Sequence, residues 1–192
     1  VSAAEIWYNA AMRKNIYAGA ALVAAMMALA GCGKSDGSGE LADGRRAYEI
    51  RDFRKAEKLF AESLRHAPGN VEAMLRLALV KMALGELEEA RGWASKAAAA
   101  DVGALDAKIL EAQIAWHLKD YEKAEKLFES VAHDGTLSAP ERSLGWTGLG
   151  IVEMTLDNYH LARVAFLRAI RTDRRNASAW YHLGLLYRDG FG

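Results

Sequence analysis

The fold of this chain is decided by a stretch that occurs twice, as DFRKAEKLF at residues 52–60 and as DYEKAEKLF at residues 120–128. Seven of the nine letters agree, and the copies start 68 residues apart. A long match at a fixed distance is typical of a repeat architecture, in which one packing solution serves several sites. Because 68 is twice 34, the spacing predicts a 34-residue unit with another copy between the two.

The composition predicts an all-α protein. The 192 residues are 52% hydrophobic and 26% charged, which allows a buried core and a soluble surface. Only two prolines occur, and Ala, Leu, Glu and Lys are abundant, so helix is expected nearly throughout. No strand-length run of alternating β-branched residues stands out.

The charge and the reactive side chains exclude several classes of function. Formal net charge is zero, and the sequence has no basic stripe, so nucleic acid is not an expected partner. The single cysteine allows no internal disulfide and no Cys/His zinc spacing. The five histidines fit no metal-ligand spacing, and neither GxSxG nor a P-loop occurs. We therefore predict no catalytic residue, no metal and no cofactor, and we do not expect an enzyme.

A frame set on the opening match divides the chain into repeats at 37–70, 71–104, 105–138 and 143–176, with a partial repeat at 177–192. Small and aromatic residues then recur in columns. The second half of each full repeat has an alanine at one shared position, namely Ala56, Ala90, Ala124 and Ala162. An aromatic follows one helical turn later, at Phe60, Phe128 and Phe166, with Ala94 as the departure. The first half carries a small residue, at Gly44, Ala78, Ala112, Gly150 and Gly184.

These columns suit two helices that cross at close range, because a missing side chain permits the approach and a large one fills the next hole. Helix-capping residues fall at the expected places. They are Asp52, Asp120 and Asn158 for second helices, and Asn70 and Asn176 for first helices. Ser138 and Glu141 match a capping box, which suggests that the four extra residues 139–142 lie in the turn between repeats.

The period and the columns resemble the tetratricopeptide repeat, a helix–turn–helix unit. The resemblance implies an α–α superhelix of about four and a half repeats over residues 41–192. It also implies that the first helices line a concave face that binds other proteins or peptides. Carried over by position, that face comprises Leu75, Leu79, Met82, Ile109, Gln113, Trp116, Thr147, Ile151, Met154, Tyr181 and Leu185. The alternative interpretation is that these residues pack inside a tight superhelix or against a further domain.

The front of the chain resembles a bacterial lipoprotein signal peptide over residues 1–31. Arg13 and Lys14 precede an uncharged run at residues 16–30, and Leu29-Ala30-Gly31 stands directly before Cys32. The resemblance implies cleavage before Cys32 and lipidation of its sulfur. Residues 1–11 are interpreted as an upstream extension, with the true start near Met12. The alternative is an uncleaved membrane anchor with an incidental cysteine.

Lipidation would place the protein in the cell envelope, on the outer membrane facing the periplasm. Residues 32–40 are small and polar and predict a flexible tether. The functional hypothesis is a non-catalytic, lipid-anchored adaptor for protein–protein interaction. The alternatives are the docking arm of a larger enzyme or assembly machine whose other domains lie beyond Gly192, and a cytosolic scaffold with a false signal.

The last helix is expected to place Trp180, Leu183 and Tyr187 in core positions. The sequence provides no second helix to cover them, which favours a natural protein that continues past Gly192. The alternative is a last helix that frays or docks on a second copy.

Overall fold

The computed structural model describes residues 36–101 and 105–189. The predictions for the signal peptide, Met12 and Cys32 lie outside these residues. The described ranges contain nine α-helices and no strand. The helices are α1 Ser38–Glu49, α2 Phe53–His66, α3 Val71–Ala83, α4 Leu87–Ala100, α5 Leu105–His117, α6 Tyr121–Ala132, α7 Ala139–Thr155, α8 Tyr159–Thr172 and α9 Ala177–Asp189.

The helices pack in chain order as helix pairs. Helix α1 packs on α2, α3 on α4, α5 on α6 and α7 on α8, and each second helix also packs on the first helix of the next pair. The described residues from Gly37 onward belong to one compact unit. This arrangement is the all-α helical solenoid predicted from the 34-residue spacing. No described helix has both the length and the apolar character needed to cross a membrane.

The alanine column lies at the helix crossings. Ala56, Ala90, Ala124 and Ala162 are all fully buried. The aromatic column is buried as well, since Phe60 and Phe166 are fully inaccessible and Phe128 is 6% exposed. The predicted pairing of small and large side chains is therefore confirmed.

Glycines of the first helices leave room for these aromatic rings. A Cβ at Gly44 would come within 2.5 Å of the Phe60 ring, and one at Gly150 would overlap the Phe166 ring. The ring of Phe128 instead lies against Gly148, on the first helix of the following repeat. Gly145 lies at the same contact between α6 and α7, where a Cβ would come within 2.5 Å of the backbone nitrogen of Ala132. The columns did not predict the contacts of Gly145 and Gly148.

The second repeat is packed differently, because Ala94 occupies the position that is phenylalanine in the other full repeats. Ala78 and Ala94 are both fully buried in one apolar cluster. The indole of Trp93 is partly buried against that cluster, as expected from its position beside Ala94. The ammonium of Lys96 lies 4.0 Å from the centre of the Trp93 ring and covers its outer side.

Four of the five predicted caps form. Carboxylates of Asp52 and Asp120 accept from the backbone N–H groups of Lys55 and Lys123. The side-chain oxygens of Asn70 and Asn176 accept from the backbone N–H groups three residues later, at 3.0 Å in both cases. The prediction for Asn158 was wrong, because its carboxamide donates to Glu153 instead of capping α8.

Two boundaries also differ from the sequence prediction. Helix α1 begins at Ser38, so the end of the predicted tether is helical. Gly37 is held there by the hydroxyl of Ser63, which donates to its carbonyl at 2.8 Å. Residues 139–142 were expected in a turn, but they form the first turn of α7. Pro140 is tolerated there because the first turn of a helix needs no backbone donor.

The side of α9 that faces away from α8 is open. Leu183 is buried at 6% exposure, as predicted, but Trp180 and Tyr187 are 53% and 50% exposed. Their prediction as core residues was wrong for the described residues, in which no helix follows α9 to cover them.

Candidate protein-binding face

The first helices of the repeats line an apolar groove of about 440 Å³. Helices α3, α5, α7 and α9 all contribute, with Phe128 of α6 at the bottom. We call this the apolar groove. Its lining consists of Met82, Ile109, Gln113, Trp116, His117, Phe128, Leu144, Thr147, Gly148, Ile151, Ser178 and His182. None of these is Asp, Glu, Lys or Arg, so the groove fits an uncharged segment.

A second groove of about 720 Å³ runs alongside the first, between α3 and α5. We call it the mixed groove, because Leu75 and Leu79 lie beside charged residues such as Arg76 and Asp106. The two grooves share Ile109 and Gln113. A bound chain segment could therefore pass from one to the other along the face of α5.

Eight of the eleven residues predicted for the binding face line these two grooves. They are Leu75, Leu79, Met82, Ile109, Gln113, Trp116, Thr147 and Ile151. The other three, Met154, Tyr181 and Leu185, line neither groove. Met154 packs instead against the core cluster around Phe166, and Tyr181 is 64% exposed.

In α9 the residues that reach the apolar groove are Ser178 and His182, not the predicted Tyr181 and Leu185. Each repeat of a solenoid is rotated relative to the one before it, so the column that faces the groove changes along the array. Leu144 and Gly148 of α7 occupy the same columns as Ser178 and His182 and line the same groove. Assigning groove residues from the same repeat positions in every repeat, as the family pattern suggests, therefore misses these four positions.

His182 is a partly buried polar side chain of the apolar groove. Its ring stacks on Phe166, with centroids 5.8 Å apart and planes 12° from parallel. The Nδ1 atom is buried without a hydrogen-bond partner. Burial lowers the pKa of His182, so the ring is neutral at neutral pH.

Several groove residues also contribute to packing. The indole N–H of Trp116 donates to the Thr155 hydroxyl at 3.0 Å, which ties α5 to the end of α7. Leu75 packs against two buried clusters, and Met82 is half-buried against one of them. The binding interpretation and the packing interpretation from the sequence therefore both apply to parts of this face.

A charge cluster around the buried Lys81 lies between the first two repeats, and the sequence did not predict it. The ammonium of Lys81 contacts carboxylates of Glu57 and Glu86 at 2.6 Å and Glu89 at 2.8 Å. Arg54 pairs with both Glu57 and Glu86. Burial opposes the charge on Lys81, but its three carboxylate partners outweigh that effect and raise the Lys81 pKa.

The remaining histidines outside the grooves have surface or helix-end positions. The ring of His133 approaches the Glu129 carbonyl at the end of α6, at 3.1 Å. His66 lies beside Glu62 and Glu40 at the end of α2. In residues 36–101 and 105–189, no three His, Cys, Asp or Glu side chains are grouped to hold a metal ion.

Comparisons with known proteins agree with the helix pairs. Two family profiles, both described as tetratricopeptide repeat, match residues 47–114 and 147–190. No curated protein sequence matches significantly.

Solved structures resemble the array over most of its length. PilF of Pseudomonas aeruginosa is 21% identical, with a TM-score of 0.68 over 82% of this chain and 71% of that one. MamA from Desulfovibrio magneticus RS-1 is 16% identical, with a TM-score of 0.64 over 81% and 87%. YrrB, described as a repeat protein with an unusual peptide-binding site, is 14% identical, with a TM-score of 0.57 over 79% and 77%.

At these identities the structural likeness concerns the fold. The two profile matches together cover more than half of the 192 residues, and they fall on the helix pairs described above. The chain belongs to the tetratricopeptide-repeat proteins.

Proposed function

We propose that this protein is a non-catalytic adaptor that binds a segment of another protein in the grooves of its first helices. Tetratricopeptide-repeat proteins are protein-interaction scaffolds, and their fold is typically non-catalytic. We further propose that Cys32 carries a lipid that anchors the array in the bacterial cell envelope, on the outer membrane facing the periplasm.

The observation that carries the binding proposal is the apolar groove. An uncharged cleft of about 440 Å³ is lined by four successive first helices, and it remains open although the core behind it is closely packed. Helix-in-groove and extended-peptide recognition both use apolar clefts of this kind. The peptide-binding site described for the structurally similar YrrB supports the same kind of ligand.

The anchoring proposal rests on the sequence alone. A basic start, a short apolar run, a Leu-Ala-Gly box and a lone cysteine coincide at residues 13–32. Several acyl chains, each methylene contributing about 0.8 kcal/mol, would hold the protein durably on a membrane.

Binding is tested by affinity capture from detergent-solubilised membranes of the source cells, with the full-length protein as bait. Met82→Gln and Leu144→Gln place an amide in the apolar groove, at side chains that are at least partly exposed. The control is Leu156→Gln, a comparably exposed leucine outside both grooves. Loss of one partner from the groove variants alone, with unchanged thermal unfolding, is the expected result. Unfolding without selective loss of a partner would support the packing interpretation instead.

Anchoring is tested by metabolic labelling with palmitate. Label on the wild-type chain that disappears in Cys32→Ser is expected. An unlabelled wild-type chain would exclude the lipoprotein and leave the adaptor proposal to be judged by the capture experiment.

The second candidate is a docking arm of a larger enzyme or assembly machine. The exposed Trp180 and Tyr187 side of α9 favours it, because such a side can accept a further helix or domain. Sequence of the complete gene decides between the two: a catalytic domain fused to the array would favour the docking arm.

A further inference from the structure

The outer face of α8 differs from the outer faces of the other second helices. Three aliphatic side chains protrude from it, with Leu161 at 56%, Val164 at 44% and Leu167 at 41% exposure. They are spaced three residues apart, so they occupy one side of the helix, opposite the buried Ala162 and Phe166. Single exposed leucines are ordinary, but three on one ridge form a patch.

The same columns in the other repeats are polar or small. The positions of Leu161 and Val164 are taken by Lys55 and Lys58 in α2 and by Lys123 and Lys126 in α6. In α4 the corresponding residues are Glu89, Gly92 and Ser95. The repeat architecture therefore does not require aliphatic residues at these positions, and packing within the array does not account for those of α8.

The charges on α8 are all of one sign. The helix Tyr159–Thr172 contains no Asp or Glu, while Arg168 and Arg171 are exposed among the aliphatic side chains. The turn that follows α8 adds Arg174 and Arg175, which are also exposed. The acidic side chains Glu125, Glu129 and Glu153 line a cleft on the α6 side of the helix, and Leu161, Val164 and Arg168 line the same cleft. Arg171, Arg174 and Arg175 lie outside that cleft, towards α9, where Asp173 is the acidic residue of the turn.

An aromatic side chain borders the basic end of this surface. The indole N–H of Trp180 donates to the carbonyl of Arg174 at 3.1 Å, which fixes the half-exposed ring beside the α8–α9 turn. Tryptophan is the side chain most typical of the boundary between water and lipid, since its ring is apolar and its N–H polar.

We propose that the outer face of α8 contacts the surface of an anionic lipid bilayer. The contact surface, which we call the α8 patch, comprises Leu161, Val164, Leu167, Arg168, Arg171 and Arg174. The aliphatic side chains enter the headgroup region, and the arginines bind lipid phosphates while their stems remain along the apolar surface. This contact is independent of Cys32, because it needs no acyl chain.

The exposed arginines favour a bilayer over a protein partner. The three aliphatic side chains of the patch are 41–56% exposed, and Leu161, Val164 and Arg168 also border a cleft of about 370 Å³ between α6 and α8. Arginines around protruding aliphatic residues match the pattern of helices that lie in a membrane interface.

The test uses the full chain with Cys32→Ser, which removes the only cysteine and with it any acylation. An environment-sensitive fluorophore is attached at Val164→Cys. The matched control carries it at Lys126→Cys, the same column in α6. Both proteins are mixed with vesicles of phosphatidylcholine alone or with one-third phosphatidylglycerol. The control separates local contact by α8 from any binding by the N-terminal apolar run, which both proteins share.

A blue shift at position 164 with phosphatidylglycerol vesicles, absent at position 126, is the expected result. Adding Arg171→Gln and Arg174→Gln should weaken that response roughly 30-fold, because each arginine near an anionic surface accounts for about a fivefold effect. Adding Lys55→Gln and Lys58→Gln, which removes the same charge from α2, should change it little.

Three results would overturn the proposal. The first is no shift at position 164, and the second is an equal shift at both positions. The third is a shift that appears without vesicles and grows with protein concentration, which would assign the patch to a second copy. An equal response to phosphatidylcholine alone would contradict the role of the arginines.

Discussion

The ring of Phe60 lies against Gly44 so closely that a methyl group at position 44 would come within 2.5 Å of the ring carbon Cε1. Phe166 and Gly150 repeat this relationship three repeats later. The second repeat, by contrast, has alanine at both positions, Ala78 and Ala94. In these three repeats the size of one residue is thus matched to the size of the other. The third repeat has Ala112 and Phe128 at the two positions, and there the ring lies against Gly148 of the next repeat instead.

Gly150→Ala should destabilise the array by about 1–3 kcal/mol, because the new methyl group meets a fully buried ring that has no free space to move into. Urea unfolding measures the change. Gly184→Ala is the matched control from the same column, since a Cβ there meets nothing within 4 Å. It should be stabilising by up to about 1 kcal/mol through helix propensity. Equal effects of the two substitutions would contradict the packing argument.

Lys81→Met should lower the free energy of unfolding by about 1–3 kcal/mol, because it leaves Glu57 and Glu86 with Arg54 in place of two cations. Lys123→Met is the control, since Lys123 is half-exposed and, within the described residues, pairs with the single carboxylate of Glu111. That substitution should cost less than about 1 kcal/mol. Chemical unfolding at neutral pH compares the two variants. A similar loss of unfolding free energy in both would show that the Lys81 cluster contributes no more than an exposed ion pair.

The same cluster predicts a pH dependence. Hydrogen bonds from Lys81, reinforced by Arg54, lower the pKa values of Glu57 and Glu86 below the ordinary value of 4.5. Their contribution to stability is therefore complete above pH 4.5 and is lost as the pH falls through the lowered values. In Lys81→Met the crowded carboxylates gain from protonation instead, so the deficit of the variant should shrink below pH 4.5. Unfolding curves between pH 7 and pH 3.5 measure this deficit, and a constant value would refute the prediction.

Asn176→Ala should free α9 from the rest of the array. The Asn176 amide donates to the hydroxyls of Ser143 and Thr147 at 2.8 and 2.9 Å, and its oxygen caps α9. Asn70→Ala is the control, because Asn70 caps α3 in the same column and no further side-chain bond of this kind joins it to the preceding repeat. Loss of the cap alone costs about 1 kcal/mol, and the Asn176 variant should cost roughly 1–2 kcal/mol more. Hydrogen exchange should show α9 opening first; uniform loss of protection along the chain would argue against a local clamp.

The part of the fold that the sequence predicts is the part encoded within 34 residues. The alanine at each crossing and the aromatic one turn later, such as Ala56 and Phe60, depend on contacts between neighbouring helices whose residues lie close together in the chain. The start of α1 was predicted less well, because Gly37 and Ser38 look like a linker until the hydroxyl of Ser63 is placed against them.

The groove residues could be predicted where the same repeat position faces the groove in successive repeats. Residues such as Met82 and Trp116 reached the apolar groove because their columns face it in the central repeats. His182 was missed because the rotation between repeats turns another column inward at α9. The Lys81 cluster was missed because its carboxylates come from two helices and a turn, and no single repeat contains all of them.

The measurement that tests the central claim most directly is a double-mutant cycle at the first helix pair. It compares wild type, Gly44→Ala, Phe60→Ala and the double variant, which reproduces the alanine pair of the second repeat. If the missing side chain at Gly44 makes room for the Phe60 ring, Gly44→Ala should lower the free energy of unfolding by about 1–3 kcal/mol when Phe60 is present. In the Phe60→Ala background the same substitution should be neutral or stabilising. An equal cost of Gly44→Ala in both backgrounds would contradict the account.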